Sequence, residues 1–125
     1  MKTCVLFVLC MLLFWLACEP DKMMAPITIE NVDLAIVADG TYTGEYTDEK
    51  SGEMSEVEVV VKDHVILSIV VLKRITTPVG KKGEYVITQV LTAQSLDVDG
   101  ISGATMTSNI TLKAIEMALK KGIQP

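Results

Sequence analysis

The chain has 125 residues, with sixteen acidic side chains against eleven basic ones, for a formal net charge of −5. That length suits one domain plus short appendages. The acidic balance is a poor match for a phosphate backbone and excludes nucleic-acid binding as a function class. The chain opens with a short charged start, Met1-Lys2-Thr3, followed by an uncharged apolar run from Cys4 to Ala17. Val5 to Ala17 would extend about 20 Å as a helix, short of the roughly 30 Å hydrocarbon core, so residues 1–17 are expected to be a signal peptide rather than a span.

Leu16-Ala17-Cys18 resembles a lipobox, the site where bacterial lipoproteins are cleaved and the new N-terminal Cys is acylated. Cys18 is therefore the expected lipidation site, and residues 18–38 the lipidated tether and lead-in. Trp15 stands where the lipobox prefers an aliphatic residue, so an uncleaved anchor is the alternative. Cys4 and Cys10 would leave with the signal, so neither a disulfide nor a Cys-based metal site is expected in the remainder. The resulting expectation is a protein anchored by lipid at the extracytoplasmic face of a membrane. Glu19 to Ala25 reads as the tether. Ile27 to Ala38 mixes acidic and aliphatic residues and allows either a helical turn or an extended lead-in.

The folded domain is expected over residues 39–122. Thr41 to Tyr46 alternates β-formers, Asp48 to Glu53 is a charged hairpin loop, and Met54 to Lys62 places Val57, Val59 and Val61 on one face and Glu56 and Glu58 on the other. Asp63-His64 is the next turn. Val65 to Lys73 follows as a third strand, with Val65, Leu67, Ile69 and Val71 expected on one face. Period-two alternation with one polar side predicts an antiparallel meander covered on one side. Arg74 to Gly83 reads as a loop. Glu84 to Gln94 has helical spacing, and Leu96 to Val98 is a candidate short strand. From about Ser108 to Lys121 the apolar residues Ile110, Ala114, Ile115, Ala118 and Leu119 form one stripe, with Lys113, Glu116, Lys120 and Lys121 largely opposite. Gly122 suits a C′ position after that helix. The expected fold is α+β: a small antiparallel sheet packed against two helices.

Between sheet and final helix lies Val98-Asp99-Gly100-Ile101-Ser102-Gly103-Ala104-Thr105-Met106-Thr107-Ser108-Asn109. Its two glycines permit positive φ and a close backbone approach to a ligand. Thr107, Ser108 or Asn109 is the expected helix cap. Unpaired N–H groups and the positive end of the helix dipole favour a phosphate at such a start.

This stretch resembles the flavinylation motif of the FMN-binding domain family, found in sodium-translocating quinone reductases and Rnf-type complexes. The family pattern is Asp, a short gap, Ser or Thr, then Gly-Ala-Thr, here Asp99, Ser102, Gly103, Ala104 and Thr105, with Thr107 and Ser108 beyond. Asp39 to Gly44 also resembles the family's opening strand. The resemblance implies FMN as cofactor, joined to Thr105 by a phosphoester. It gives Asp99, Ser102, Gly103, Ala104 and Thr107 roles in cofactor binding and geometry. It further implies a magnesium-dependent flavin transferase as the maturation partner, taking FMN from FAD and releasing AMP.

Catalysis by the chain alone is not expected. His64 sits in a charged turn with no second His or Cys to complete a metal site. Thr105 is a weak nucleophile, and Asp99 is its nearest carboxylate in sequence. Every Phe and Trp lies in the leader, leaving Tyr42, Tyr46 and Tyr85 as candidate stacking partners for a flavin ring. The expected function is an electron carrier or redox subunit working with other redox proteins. The alternatives are a small exported lipoprotein that serves as a binding module without flavin, and non-covalent FMN binding.

Overall fold

The computed structural model describes residues 27–73 and 78–124. The expected signal peptide, Cys18 and the Glu19–Ala25 tether lie outside them. Three strands, β1 (Gly40–Thr47), β2 (Met54–Lys62) and β3 (Val65–Lys73), form one antiparallel sheet in the order β1-β2-β3. Helices α1 (Pro78–Gly83), α2 (Val86–Ala93) and α3 (Thr105–Lys121) follow. This is the expected meander packed against helices, in two layers around one core.

The β2 alternation reads directly as burial. Val57, Val59 and Val61 are at most 1% exposed and meet the stripe of α3 formed by Ala114, Ile115, Ala118 and Leu119. Each fully buried Val, Ile or Leu contributes roughly 1.5–3 kcal/mol. The β2–β3 turn is tight: Asp63 and His64 have φ of 52° and 62°, the left-handed pair that matches strand twist in a two-residue hairpin. His64 Nδ1 lies 3.1 Å from the Leu34 carbonyl, so this histidine is a turn residue.

The β3 face differs from expectation. Register shifts between Val60 and Val61, and between Glu56 and Val57, leave Leu67 and Leu72 without a partner on β2. Each bulge inserts one residue and reverses the alternation beyond it. Val65 and Leu67 therefore face outward, Ile66 is buried, and Ile69 and Val71 pack against the core. Gln94 covers the free edge of β3 at Ile66. Its Oε1 accepts from the Ile66 N–H (2.7 Å) and its Nε2 donates to the Ile66 carbonyl (3.1 Å), as a neighbouring strand would.

Three further boundaries move. Part of the expected 74–83 loop is α1, which begins at Pro78, where a missing N–H costs nothing and φ is preset for a helix. Helix α2 falls within the expected 84–94 span, but no strand forms at 96–98. There the chain is held instead by Asn31, whose Oδ1 accepts from the Leu96 N–H (3.0 Å) and the Ser95 hydroxyl (3.2 Å). At the far end of α3, Gly122 has φ −90° and is not a left-handed cap; a Cβ there would lie 2.6 Å from the Tyr42 ring, so close packing calls for glycine.

The lead-in from Ile27 packs onto the domain. It is extended apart from one 3-10 turn at Leu34–Ile36, begun by Asp33, whose Oδ1 accepts from the Ala35 N–H. Val32 and Val37 enter the core, and Val37 bridges to Ile123.

Glu116 fastens this lead-in to α3. It was expected on the polar side of the helix but is fully buried. It accepts from Lys113 Nζ (3.0 Å), Lys120 Nζ (2.7 Å) and the Glu30 N–H (3.2 Å). Burial pushes its carboxyl up, but the bonds from Lys120, Lys113 and Glu30 outweigh burial and hold it below the ordinary 4.5. Lys120, bonded to both Glu116 and Glu30, is pushed up to about 12 and stays charged. A depressed carboxyl stabilises the fold above its unfolded value, and that contribution is lost as pH falls through the folded one. Thermal melts of the wild type should therefore weaken as pH drops below 4.5, and more steeply than those of Glu116→Gln. At neutral pH the variant should be less stable by about 2 kcal/mol, below the usual cost of a broken buried pair because both lysines reach solvent.

Candidate functional site

The motif forms a tight loop that leads into α3. Gly100 and Gly103 have φ of 76° and 78°, as a double-glycine turn requires. Helix α3 begins at Thr105, three residues earlier than the spacing predicted, and its N-cap is Ala104. Thr107, Ser108 and Asn109 therefore lie within the helix, and no side chain caps its first turn.

Ser108 instead works from inside. It is fully buried; its Oγ accepts from the Ile101 N–H (3.1 Å) and donates to the Ala104 carbonyl (2.8 Å). One hydroxyl thus ties both ends of the Ile101–Ala104 turn to the first turn of the helix. The Ala104 N–H closes the turn onto the Ile101 carbonyl (3.0 Å). Gln89 of α2 holds the other side, with Nε2 donating to the Gly100 carbonyl (3.2 Å). Because the turn is bonded to two helices, the residue that follows it is displayed in a fixed position.

That residue is Thr105. It is exposed, as are Ser102, Gly103 and Asp99, whereas Ala104 is buried at 3% exposure. Thr107 is also buried and packs against Gly83, where a Cβ would meet its Cγ2 at 2.5 Å. The structure thus brings Ser102, Gly103, Ala104 and Thr105 together at one helix start and turns Thr107 inward. Asp99 stands apart, on the rim of an open cleft of about 450 Å³ bordered also by Thr88, Gln89, Thr92, Asp97 and Val98.

Sequence reasoning missed Lys82. The end of α1 packs against the start of α3, and the Lys82 ammonium lies 3.3 Å from where a Cβ on Gly103 would stand. Any side chain at Gly103 would crowd that cation. The adjacent Lys81-Lys82 pair was a visible signal of positive charge, but only packing carries it to the motif.

These residues fit FMN. Uncapped helix N–H groups, a glycine without a Cβ and a nearby ammonium form a cationic edge of the kind that holds a phosphate, beside an exposed hydroxyl. When bound, the flavin ring supplies electron-transfer chemistry that no side chain here offers. The protein's own part there would be to present an exposed hydroxyl and to balance the charge of a phosphate.

Comparison with known proteins identifies a family. The family described as the FMN-binding domain matches residues 50–120, from the β1–β2 loop to near the end of α3. No curated relative matches the chain. The match covers more than half of the 125 residues, spans β2, β3, the motif and most of α3, and names FMN as the cofactor: the chain belongs to the FMN-binding domain family.

Proposed function

We propose that the protein is an extracytoplasmic electron carrier, tethered by lipid at Cys18, with FMN attached to Thr105 through a phosphoester. One observation carries the assignment of Thr105. Among the motif's downstream hydroxyls, Thr107 and Ser108 are buried, whereas Thr105 is exposed at the first residue of α3. In the attachment step the Thr105 Oγ attacks the FMN-side phosphorus of FAD. The pyrophosphate bond to the AMP phosphate breaks, AMP leaves and the hydroxyl proton is released. Phosphorus keeps its oxidation state, so no redox partner is needed. A separate magnesium-dependent transferase performs the step, because an unactivated Thr is a poor nucleophile. The product is a phosphodiester with a single negative charge, suited to the helix start and to Lys82.

Covalent attachment would keep the cofactor with its protein outside the cytoplasm, and exchange with redox partners would follow from a ring at the surface. The test is an intact mass under denaturing conditions on residues 19–125 produced with a flavin transferase. A gain of one FMN less one water on the Thr105 peptide is expected. An unmodified mass, with a transferase shown to be active on another substrate, would leave an exported binding module without covalent flavin. The tether has its own test. Cys18→Ala should release the full chain from the membrane fraction to the soluble one; retention in the membrane would instead indicate an uncleaved apolar anchor.

A further inference from the structure

Of the three tyrosines outside the leader, two are committed elsewhere. The Tyr42 hydroxyl donates to the Ala38 carbonyl (2.7 Å) and its ring packs on Gly122, at the opposite end of α3 from Thr105. Seventeen residues of helix separate them, about 25 Å. Tyr46 is half-buried against the core and borders a cleft with Thr47, Asp48 and Lys113, roughly 12 Å along α3 from Thr105. Tyr85 is different. It is 67% exposed and sits at the junction of α1 and α2.

The neighbours of Tyr85 place it beside the motif. Tyr85 has helical backbone angles, and its N–H bonds to the Lys82 carbonyl (3.2 Å). Gln89 lies four residues after Tyr85, on the same side of α2, and Lys82 lies in the last turn of α1, just before the junction. Lys82 reaches Gly103 and Gln89 reaches the Gly100 carbonyl. Tyr85 thus stands between two contacts with the same loop, its ring open to solvent.

We propose that Tyr85 is the stacking surface for the isoalloxazine ring of an FMN carried on Thr105, with the Lys82 ammonium beside the phosphodiester. The proposal rests on the reading of Thr105 as the attachment point. The competing location is the cleft that Gln89 also borders, but Asp97 and Asp99 line it. Two carboxylates repel a phosphodiester and disfavour added electron density on the ring, whereas Lys82 favours both. Tyr85 offers a flat aromatic face that no cleft residue provides.

Flavin emission tests this, since a stacked tyrosine quenches it. The full-length protein is produced with a flavin transferase, and native emission is normalised to covalent flavin measured after denaturation. Wild-type emission should be quenched. In Tyr85→Ala, native emission should rise as the stacked-to-unstacked ratio falls by about two- to tenfold. Tyr85→Trp should remain quenched and Tyr46→Ala should match wild type. Equal emission from wild type and Tyr85→Ala at equal flavin load would overturn the proposal, as would a rise in Tyr46→Ala instead. A wild-type chain that emerges without covalent flavin would overturn the attachment reading and this proposal with it. For Lys82, the flavin midpoint potential is the readout: Lys82→Gln should shift it to more negative values, and an unchanged midpoint would remove Lys82 from the site.

Discussion

Replacing Thr105 with Ala is expected to abolish covalent flavin while leaving the fold unchanged. Thr105 is exposed at the first helical position, and its side chain takes no part in the Ser108 and Gln89 bonds that hold the loop. Surface substitutions of this kind usually change stability by no more than about 0.5 kcal/mol. The proposed phosphoester needs only the hydroxyl oxygen of this residue, so flavin load should fall to background rather than partway. Thr105→Ser keeps the oxygen and should keep measurable flavin. Denaturing gel fluorescence and intact mass read both variants. Flavin still bound to Thr105→Ala would move the link to another hydroxyl. Ser102 would then be the first suspect, because it is exposed on the same turn whereas Thr107 packs against Gly83.

Gly44→Ala should cause a large loss of stability. Gly44 is a buried residue of β1, and α3 crosses directly over it. A Cβ there would run into the Ala114 carbonyl and would stand 2.8 Å from the Ala118 Cβ. The obstacle is helix backbone, which cannot rotate aside as a long side chain can, so α3 would have to lift from the sheet. Over-packing usually costs about 1–3 kcal/mol, and a backbone clash places this change at the upper end, about 3 kcal/mol. For a domain of this size that lowers the midpoint by roughly 12–24 °C. Thermal unfolding followed by circular dichroism measures it, and a drop of only a few degrees would mean that the helix rides further from β1 than described. Flavin load should fall as well, since the same helix displays Thr105 at its other end.

Several elements are legible in the sequence because their signals are local. Residues 56–62 alternate apart from Val60, and one covered face follows from period two. The stripe from Ile110 to Leu119 has helical spacing and lies on the core as expected, apart from Glu116 on its flank. The motif's turn was legible because glycine at positions 100 and 103 permits the φ values found there. The face of β3 was not legible, since a bulge changes parity without any marker in a run that is apolar from Val65 to Leu72 except at Ser68. The helix start was misplaced because hydroxyl residues usually signal a cap, while here Ser108 uses its hydroxyl to bind the preceding loop from within the helix. Glu116 read as surface because its spacing is that of a polar flank; burial came from the Glu30 segment folding over it.

Local sequence suffices for the sheet, the closing helix, the glycine turn and the family pattern around Thr105, because each depends on residues close together in the chain. Which hydroxyls face solvent and which are consumed in packing depends on the tertiary structure. It alone brought Lys82 to Gly103, Gln89 to Gly100 and Gln94 to the edge of β3, and set Tyr85 apart from Tyr42 and Tyr46. These pairings join separate elements, and helical or strand periodicity records which face of an element is covered but not which partner covers it.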